Sequence, residues 1–245
     1  MVSRVTAILD SFQPRDDDLG ISEIARRTGL PKSTVSRIVQ ELVEHQFLEH
    51  SGVGVRLGIR LFELGESATR PRDLRKLALA SMSDLRSAVN LTVHLAVLER
   101  SEVVYIEILP ARGTPPLPSR VGGRMPAYAT GVGKALLAWS APSVVDGIIA
   151  QGLAPVGPNT ITDPDRLRRE LVRIRTSGIA YEREESGAGI ACAATAIRLS
   201  DGHPVVAMSA AGWSEDFDVR RVGLAVQTAA QAVARQIARR PGLRL

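Results

Sequence analysis

The feature that most constrains this chain is a punctuated pair of short helical patterns within residues 21–44, divided by Gly29-Leu30-Pro31. Glycine supplies a left-handed stop, and proline fits the first turn of the next helix, where its missing amide costs nothing. Behind Pro31, the residues Val35, Ile38, Val39 and Leu42 recur at i, i+3, i+4 and i+7, which makes one buried stripe. Ser33, Arg37, Gln40 and Glu44 then face outward, with Ser36 at the flank. Ahead of Gly29, a helix over residues 23–28 is expected with Ser22 as its N-cap. An earlier helix over about residues 3–13 follows from Val5, Ile8, Leu9 and Phe12, closed by Pro14 and the acidic run Asp16-Asp17-Asp18. Two short helices around a glycine turn make a helix-turn-helix. A plain amphipathic hairpin with a solvated polar face has the same periodicity, so the surrounding residues have to decide.

The outward face favours nucleic acid only at its start. Lys32, Ser33, Thr34, Ser36 and Arg37, with Gln40 a turn later, offer donors for phosphates and base edges, whereas Glu41 and Glu44 repel a phosphate backbone. The helix is therefore expected to enter a major groove N-terminus first. Residues 47–50 and 55–57, around the turn Ser51-Gly52-Val53-Gly54, read as two short strands in the place of a wing. Arg56 and His50 are within reach of a phosphate there, although a solvent-facing arginine on an edge strand is as common. Arg26, Arg27, Lys32 and Arg56 are the cations expected to meet the backbone.

Net charge does not locate the DNA-binding end. Of the formal +5, residues 1–70 hold nine Lys/Arg against ten Asp/Glu, and residues 71–219 hold sixteen of each. Six arginines after residue 219 supply the excess. A length of 245 residues favours two domains over one, and the 44% hydrophobic content is enough to fill real cores. The single cysteine, Cys192, excludes a disulfide framework and a multi-cysteine zinc site, and the four histidines, at 45, 50, 94 and 203, are scattered. No metal, cofactor or catalytic residue is expected. No apolar run approaches the roughly 18 residues of a membrane span, and the first residues lead into an amphipathic pattern rather than a secretory signal. No membrane association and a cytoplasmic location are therefore expected.

Further along, Leu61, Phe62, Leu64 and Ala68 indicate a short helix, and Leu74, Leu77, Ala78, Met82 and Leu85 a longer one ending near Asn90. From residue 91 the apolar period changes to two, through Val93, Leu95 and Val97, a turn at residues 99–102 and a second run over residues 103–109. His94 alternates onto the polar face of its strand and reads as structural. Helices are expected over residues 132–140, 142–150, 164–177 and 215–240, and strands over 190–199 and 205–211, with a Gly/Pro-rich loop over 110–118. This grouping is an α+β domain on an antiparallel sheet.

The run from Ile21 to Arg37 (ISEIARRTGLPKSTVSR), followed by Leu57 to Gly65 (LGIRLFELG), resembles the N-terminal domain of IclR-type (isocitrate lyase regulator) transcriptional regulators. A second block, Gly122 to Ala138 (GGRMPAYATGVGKALLA) together with Glu184-Glu185 and Gly189 to Ala194 (GIACAA), is similar to the effector-domain signature of that family. The resemblance implies a winged helix-turn-helix over residues 1–66, a linker helix over 67–89 separating two mobile domains, and a GAF-like effector domain over 90–245. It further implies an effector held between the sheet and these loops, with Glu182 in the place of an acidic pocket residue. Thr195 stands where the family often has proline, and Ala211 where a pocket serine is frequent.

The expected pocket lies among Met125, Ala129, Gly131, Val132, Glu182, Ile190, Cys192 and Ser209. Gly131 and Gly133 permit close backbone approach just before a helix, whose first amides suit a carboxylate, so a small organic acid fits. Tight packing alone explains the same glycines. A nucleotide loop is excluded by spacing, because Ala135 follows Lys134 and Tyr128 occupies the place of the first glycine. A lone cysteine is more often a buried filler than a nucleophile. The leading expectation is an effector-controlled regulator that binds double-stranded operator DNA as a dimer or tetramer, since one recognition helix reads only a few base pairs. An enzyme of small carboxylates, with the first helices used only for association, and a DNA-binding protein with a vestigial sensor are the competing readings.

Overall fold

The computed structural model describes residues 1–13, 16–198 and 202–239. Pro14, Leu199 and Arg240, expected to end the first helix, a strand and the last helix, lie outside the described residues. The chain divides into two compact units, Met1–Thr69 and Arg70–Leu245.

In the first unit, helices α1 (Val2–Asp10), α2 (Ile21–Thr28) and α3 (Lys32–Glu44) precede a hairpin of β1 (Leu48–Ser51) and β2 (Gly54–Leu57), and α4 (Ile59–Ser67) follows. Val35, Ile38, Val39 and Leu42 are the buried residues of α3, as the spacing requires, and they share a core with Ile8, Ile24 and Leu48. Gly29 ends α2 with φ 69°. The cap of α2 is Gly20, not Ser22. Leu19 pairs with Val55 through two backbone hydrogen bonds of 2.9 and 3.0 Å, so the chain has to turn into the helix immediately afterwards. Ser22 is left exposed in the first turn. The same pairing explains Gly54, where a Cβ would stand 2.5 Å from the Leu19 carbonyl oxygen.

The second unit opens with α5 (Thr69–Val89) and builds a six-stranded antiparallel sheet in the order β5-β4-β3-β8-β7-β6. Its strands are β3 (Thr92–Glu99), β4 (Glu102–Leu109), β5 (Arg124–Pro126), β6 (Ala180–Arg183), β7 (Ile190–Arg198) and β8 (Pro204–Trp213). The short edge strands β5 and β6 were not expected from the sequence, being too brief to establish a period. Both faces of the sheet are covered. Val93, Leu95 and Val97 meet α5 and the last helix, α9 (Val219–Ala238), while Ala96, Ala194 and Ala207 meet α6 (Gly131–Leu137), α7 (Pro142–Ala150) and α8 (Pro164–Ser177). The last helix starts later than residue 215, because the Asp218 side chain caps it by accepting from the amides of Arg220 and Arg221.

The segment expected as a linker is part of this unit's core. Leu74, Leu77, Ala78, Met82 and Leu85 are buried in the same cluster as β3, β8 and α9. The apolar stripe that signalled a helix was thus the stripe that seats it on the sheet.

Candidate DNA-reading face and effector cavity

On the first unit, Lys32, Ser33, Ser36, Arg37 and Gln40 are exposed along the start and outer face of α3, and Thr34 is half-buried. Among the described residues, neither Lys32 nor Arg37 has an ion-pair partner, so both charges are presented to solvent. The remaining expected phosphate contacts divide. Arg26 is exposed but pairs with Glu23, and Arg56 pairs across the wing with Glu49, its register partner. Such exposed pairs are worth little and exchange readily for a phosphate. Arg27 is different. It donates to the Ser11 carbonyl at 2.9 Å, to Glu23 at 2.7 Å and to Asp16, and its side chain is only 21% exposed. Its neighbours respond: hydrogen bonds from Arg26 and Arg27 hold the Glu23 carboxyl down at about 2, and Arg27 lowers Asp16. Arg27 therefore ties the end of α1 to α2 and is not available to the DNA backbone. The wing tip is Val53, 97% exposed, with no cation beside it in the turn.

On the second unit, the sheet, α6 and the loop between β4 and β5 line a partly open cavity of about 30 Å³. Of the expected pocket residues, Gly131, Val132, Glu182, Ile190, Cys192 and Ser209 line it. Met125 and Ala129 do not: both are packed into the core on the α6 side, and Met125 sulfur accepts from the Tyr105 hydroxyl at 3.6 Å. Register brings the strand residues together. Glu182 lies opposite Cys192, Cys192 opposite Ala211, and Ser209 opposite His94. Thr130 caps α6, its hydroxyl accepting from the Gly133 amide at 3.1 Å. The glycines answer a packing need: a Cβ on Gly131 would land on Cys192 Sγ, and one on Gly133 on the Ala127 carbonyl.

His94, expected on the polar face of its strand, is buried, because helices cover both faces of this sheet. It is buried in the cavity wall between Ser119 Oγ, 2.9 Å from Nε2, and Ser209 Oγ, 3.5 Å from Nδ1, with the Tyr105 ring 5.3 Å away. Burial without a charged partner pushes its pKa down to about 4, so the ring is neutral at neutral pH. Ser119 and Leu117 come from the Gly/Pro-rich loop, which is fastened by Thr114 to Thr92 at 3.0 Å, by the Ala111 amide to Thr92 at 3.2 Å and by the Trp213 indole to the Gly113 carbonyl at 2.9 Å.

Among the described residues of the wall, Glu182 is the one carboxylate. Its Oε1 accepts from the Glu185 amide at 2.7 Å, the Ser186 amide at 3.0 Å and the Ser186 hydroxyl at 3.2 Å, yet burial still raises its pKa above the ordinary carboxylate value. Burial also raises the Cys192 thiol well above its usual range, with Glu182 adding to the effect, which keeps it a thiol and a poor nucleophile. Behind the wall, Lys134 is fully buried, paired with Glu185 and donating to the Tyr181 carbonyl at 2.9 Å, with Glu170 at 3.7 Å. This network joins α6 to β6, α8 and the loop that supports Glu182. Among the described residues, no cluster of three or more His, Cys, Asp or Glu is placed to hold a metal, and no helix is long and apolar enough to cross a membrane.

A winged helix-turn-helix with exposed cations at the start of its second helix, in one chain with an α+β unit containing a polar cavity, defines a transcriptional regulator with a DNA-binding and a ligand-binding domain. The IclR helix-turn-helix domain matches residues 1–52 and the bacterial transcriptional regulator IclR C-terminal domain matches residues 66–239. The chain belongs to the IclR family of transcriptional regulators, which are not enzymes. Among its relatives, the HTH-type transcriptional regulator Rv1719 of Mycobacterium tuberculosis is 34% identical over 92% of this chain and 86% of its own length. The HTH-type transcriptional regulator XynR of Escherichia coli is 29% identical over 85% of this chain and 84% of its own. In structure, the chain is similar to an IclR homolog of Microbacterium hydrocarbonoxydans complexed with 4-hydroxybenzoate, with a TM-score of 0.90 and 33% identity, over 98% of this chain and 99% of that one.

Proposed function

We propose that this regulator binds operator DNA through the start of α3, and that a small organic acid in the sheet–α6 cavity controls that binding. The observation that carries the reading is the cavity itself. Ser119, Thr130, Ser209, a neutral imidazole and the carboxyl of Glu182 line one small space with apolar walls at Val132 and Ile190, and a few polar groups set among apolar walls are how small-ligand sites are built. The similar structure that holds 4-hydroxybenzoate supports a carboxylate as the ligand type.

Self-association is part of this reading, and the helix after the wing supports it. No residue of α4 is buried, and Ile59, Phe62 and Leu64 are exposed at 60%, 64% and 46%. Exposed apolar residues on such a helix suit a protein partner, and a second copy supplies the second half-site that operator specificity needs. The reading also places the protein in the cytoplasm, where its DNA is, and takes the six-stranded sheet as a GAF-like sensor.

One observation favours the vestigial-sensor alternative. At about 30 Å³ the cavity has room for a water but not for an organic effector, so the loop carrying Leu117 and Ser119 has to move outward on binding. A thermal-shift screen of small organic acids, repeated with the DNA upstream of the protein's own reading frame, separates the two. Stabilisation by an acid that also changes operator affinity supports the sensor. Operator binding with no response to any acid supports the vestigial reading.

A further inference from the structure

We propose that binding of an organic acid in this cavity takes up one proton from solution, and that Glu182 holds it. The inference rests on the organic-acid reading and adds to it how the charge is accommodated.

An anion entering a closed site is normally met by an arginine or lysine, which repays the cost of leaving water. Among the described residues lining this cavity there is none, and the one of them that ionises readily at neutral pH is Glu182. Glu182 is among the residues lining this cavity, so a ligand carboxylate seated there, once the loop carrying Leu117 and Ser119 has moved outward, lies near it. Two carboxylates a few ångströms apart in a water-poor cavity do not both ionise; they share a proton, as paired acids do.

The surroundings of Glu182 leave this proton no other place. From β3 it is faced by His94, already neutral with a pKa of about 4, and from β4 by Tyr105, whose hydroxyl burial holds protonated. From β7 comes the Cys192 thiol, also held protonated. From α6 comes Lys134, whose ammonium is committed to Glu185 and the Tyr181 carbonyl and does not line the cavity. Glu185, from the supporting loop, is likewise engaged with Lys134 and raised by burial. Glu182 Oε1 takes three donors from Glu185 and Ser186, and the carboxyl is also hydrogen-bonded to the Cys192 thiol, so the added proton goes to Oε2 when a ligand carboxylate approaches.

The test is isothermal titration of the full chain with benzoate, 4-hydroxybenzoate and pyruvate, in pairs of buffers that differ in ionisation enthalpy, from about pH 5 to 9. These acids themselves ionise below that window, near the ordinary range for carboxyls. Above the folded pKa of Glu182, uptake of about one proton is expected, with affinity falling about tenfold per pH unit. In Glu182→Gln, the amide oxygen keeps the three donors and the amide NH₂ replaces the protonated Oε2, so the affinity becomes independent of pH while binding persists. Binding with flat affinity and no uptake across the window overturns the inference and leaves the organic-acid reading standing; it is the result expected if a ligand hydroxyl donates to an ionised Glu182. A Glu182→Gln chain that keeps the wild-type slope overturns it equally. Failure of the wild-type chain to bind any of the three acids overturns the organic-acid reading and this inference with it. The wild-type titration decides the matter even if the variant does not fold.

Discussion

Gly131 packs against Cys192 so closely that a single added carbon at residue 131 would stand far inside van der Waals contact with the Cys192 sulfur. Helix α6 can rest on β7 only because one of the two residues has no side chain. Filling residue 131 is therefore a change to the fold before it is a change to the pocket. Gly131→Leu is expected to unseat α6 and destabilise the second unit by more than the roughly 1–3 kcal/mol typical of overpacking, with loss of soluble protein as the readout. Ser209→Ala is the cleaner probe of the cavity. It is expected to leave the melting temperature nearly unchanged and to weaken effector binding by about 0.5–1.5 kcal/mol, the worth of one hydrogen bond, in an isothermal titration.

Arg37 and Arg27 are ten residues apart and predict opposite outcomes. Arg37→Ala removes a solvent-facing cation from α3 and is expected to cost about 1–3 kcal/mol of operator affinity with an unchanged melting curve. Arg27→Ala leaves Asp16 and Glu23 without their shared cation and is expected to lower the melting temperature of the first unit. Gel-shift titrations and circular dichroism on both variants check the pair. A loss of DNA affinity from Arg27→Ala without any loss of stability would return that arginine to the phosphate-binding set.

His94 makes the second unit sensitive to acid. Its pKa falls from 6.5 to about 4 on folding, so the unfolded chain binds the extra proton between those values, and stability is lost as pH falls through them. The contribution is of order 3 kcal/mol, about 1.4 kcal/mol per pKa unit. Glu182 acts in the opposite sense: its raised pKa favours the folded state below that pKa, and this is lost as pH rises. Thermal melts between about pH 4 and 7 are expected to show a steeper acid decline for wild type than for His94→Gln, which keeps polar atoms but cannot charge. Equal slopes would show that His94 is not protonated on unfolding in this window.

The place of α5 governs where the chain can be cut. A fragment of residues 90–245 lacks Leu74, Leu77, Ala78, Met82 and Leu85, all buried against the sheet, and is expected to aggregate. Residues 67–245 keep them and are expected to be soluble and to retain ligand binding. Size-exclusion chromatography of the two fragments provides the comparison.

Much of this was legible in the sequence where a repeat of about 3.6 residues met a clear stop signal. The α3 stripe, the Gly29 turn and the bounds of α7 and α8 were readable because one side of each helix faces water and the other does not. Strand alternation was a poorer guide, because helices cover both faces of the sheet and inside and outside lose their meaning for β3 and β7. The polar face expected at His94 is absent for that reason. Tyr105, Thr130 and Ser119 reach the cavity from three separate segments, and only the register between strands and the path of the loop unite them. Arg27 looked like its neighbour Arg26 because nothing local reveals that Asp16 folds back to meet it.

Ser209 and Ala211 stand in the middle of β8 with register partners on both sides, His94 and Ala194 for the first, Thr92 and Cys192 for the second. Their backbones are therefore fixed by the ladder whatever side chains they bear, and those side chains project into the chamber. Selection can thus refit the chamber to a different metabolite by exchanging small groups at these two positions, while the frame and the DNA-reading helix are inherited unchanged. A lineage built this way can adopt a new signal without relearning its operator.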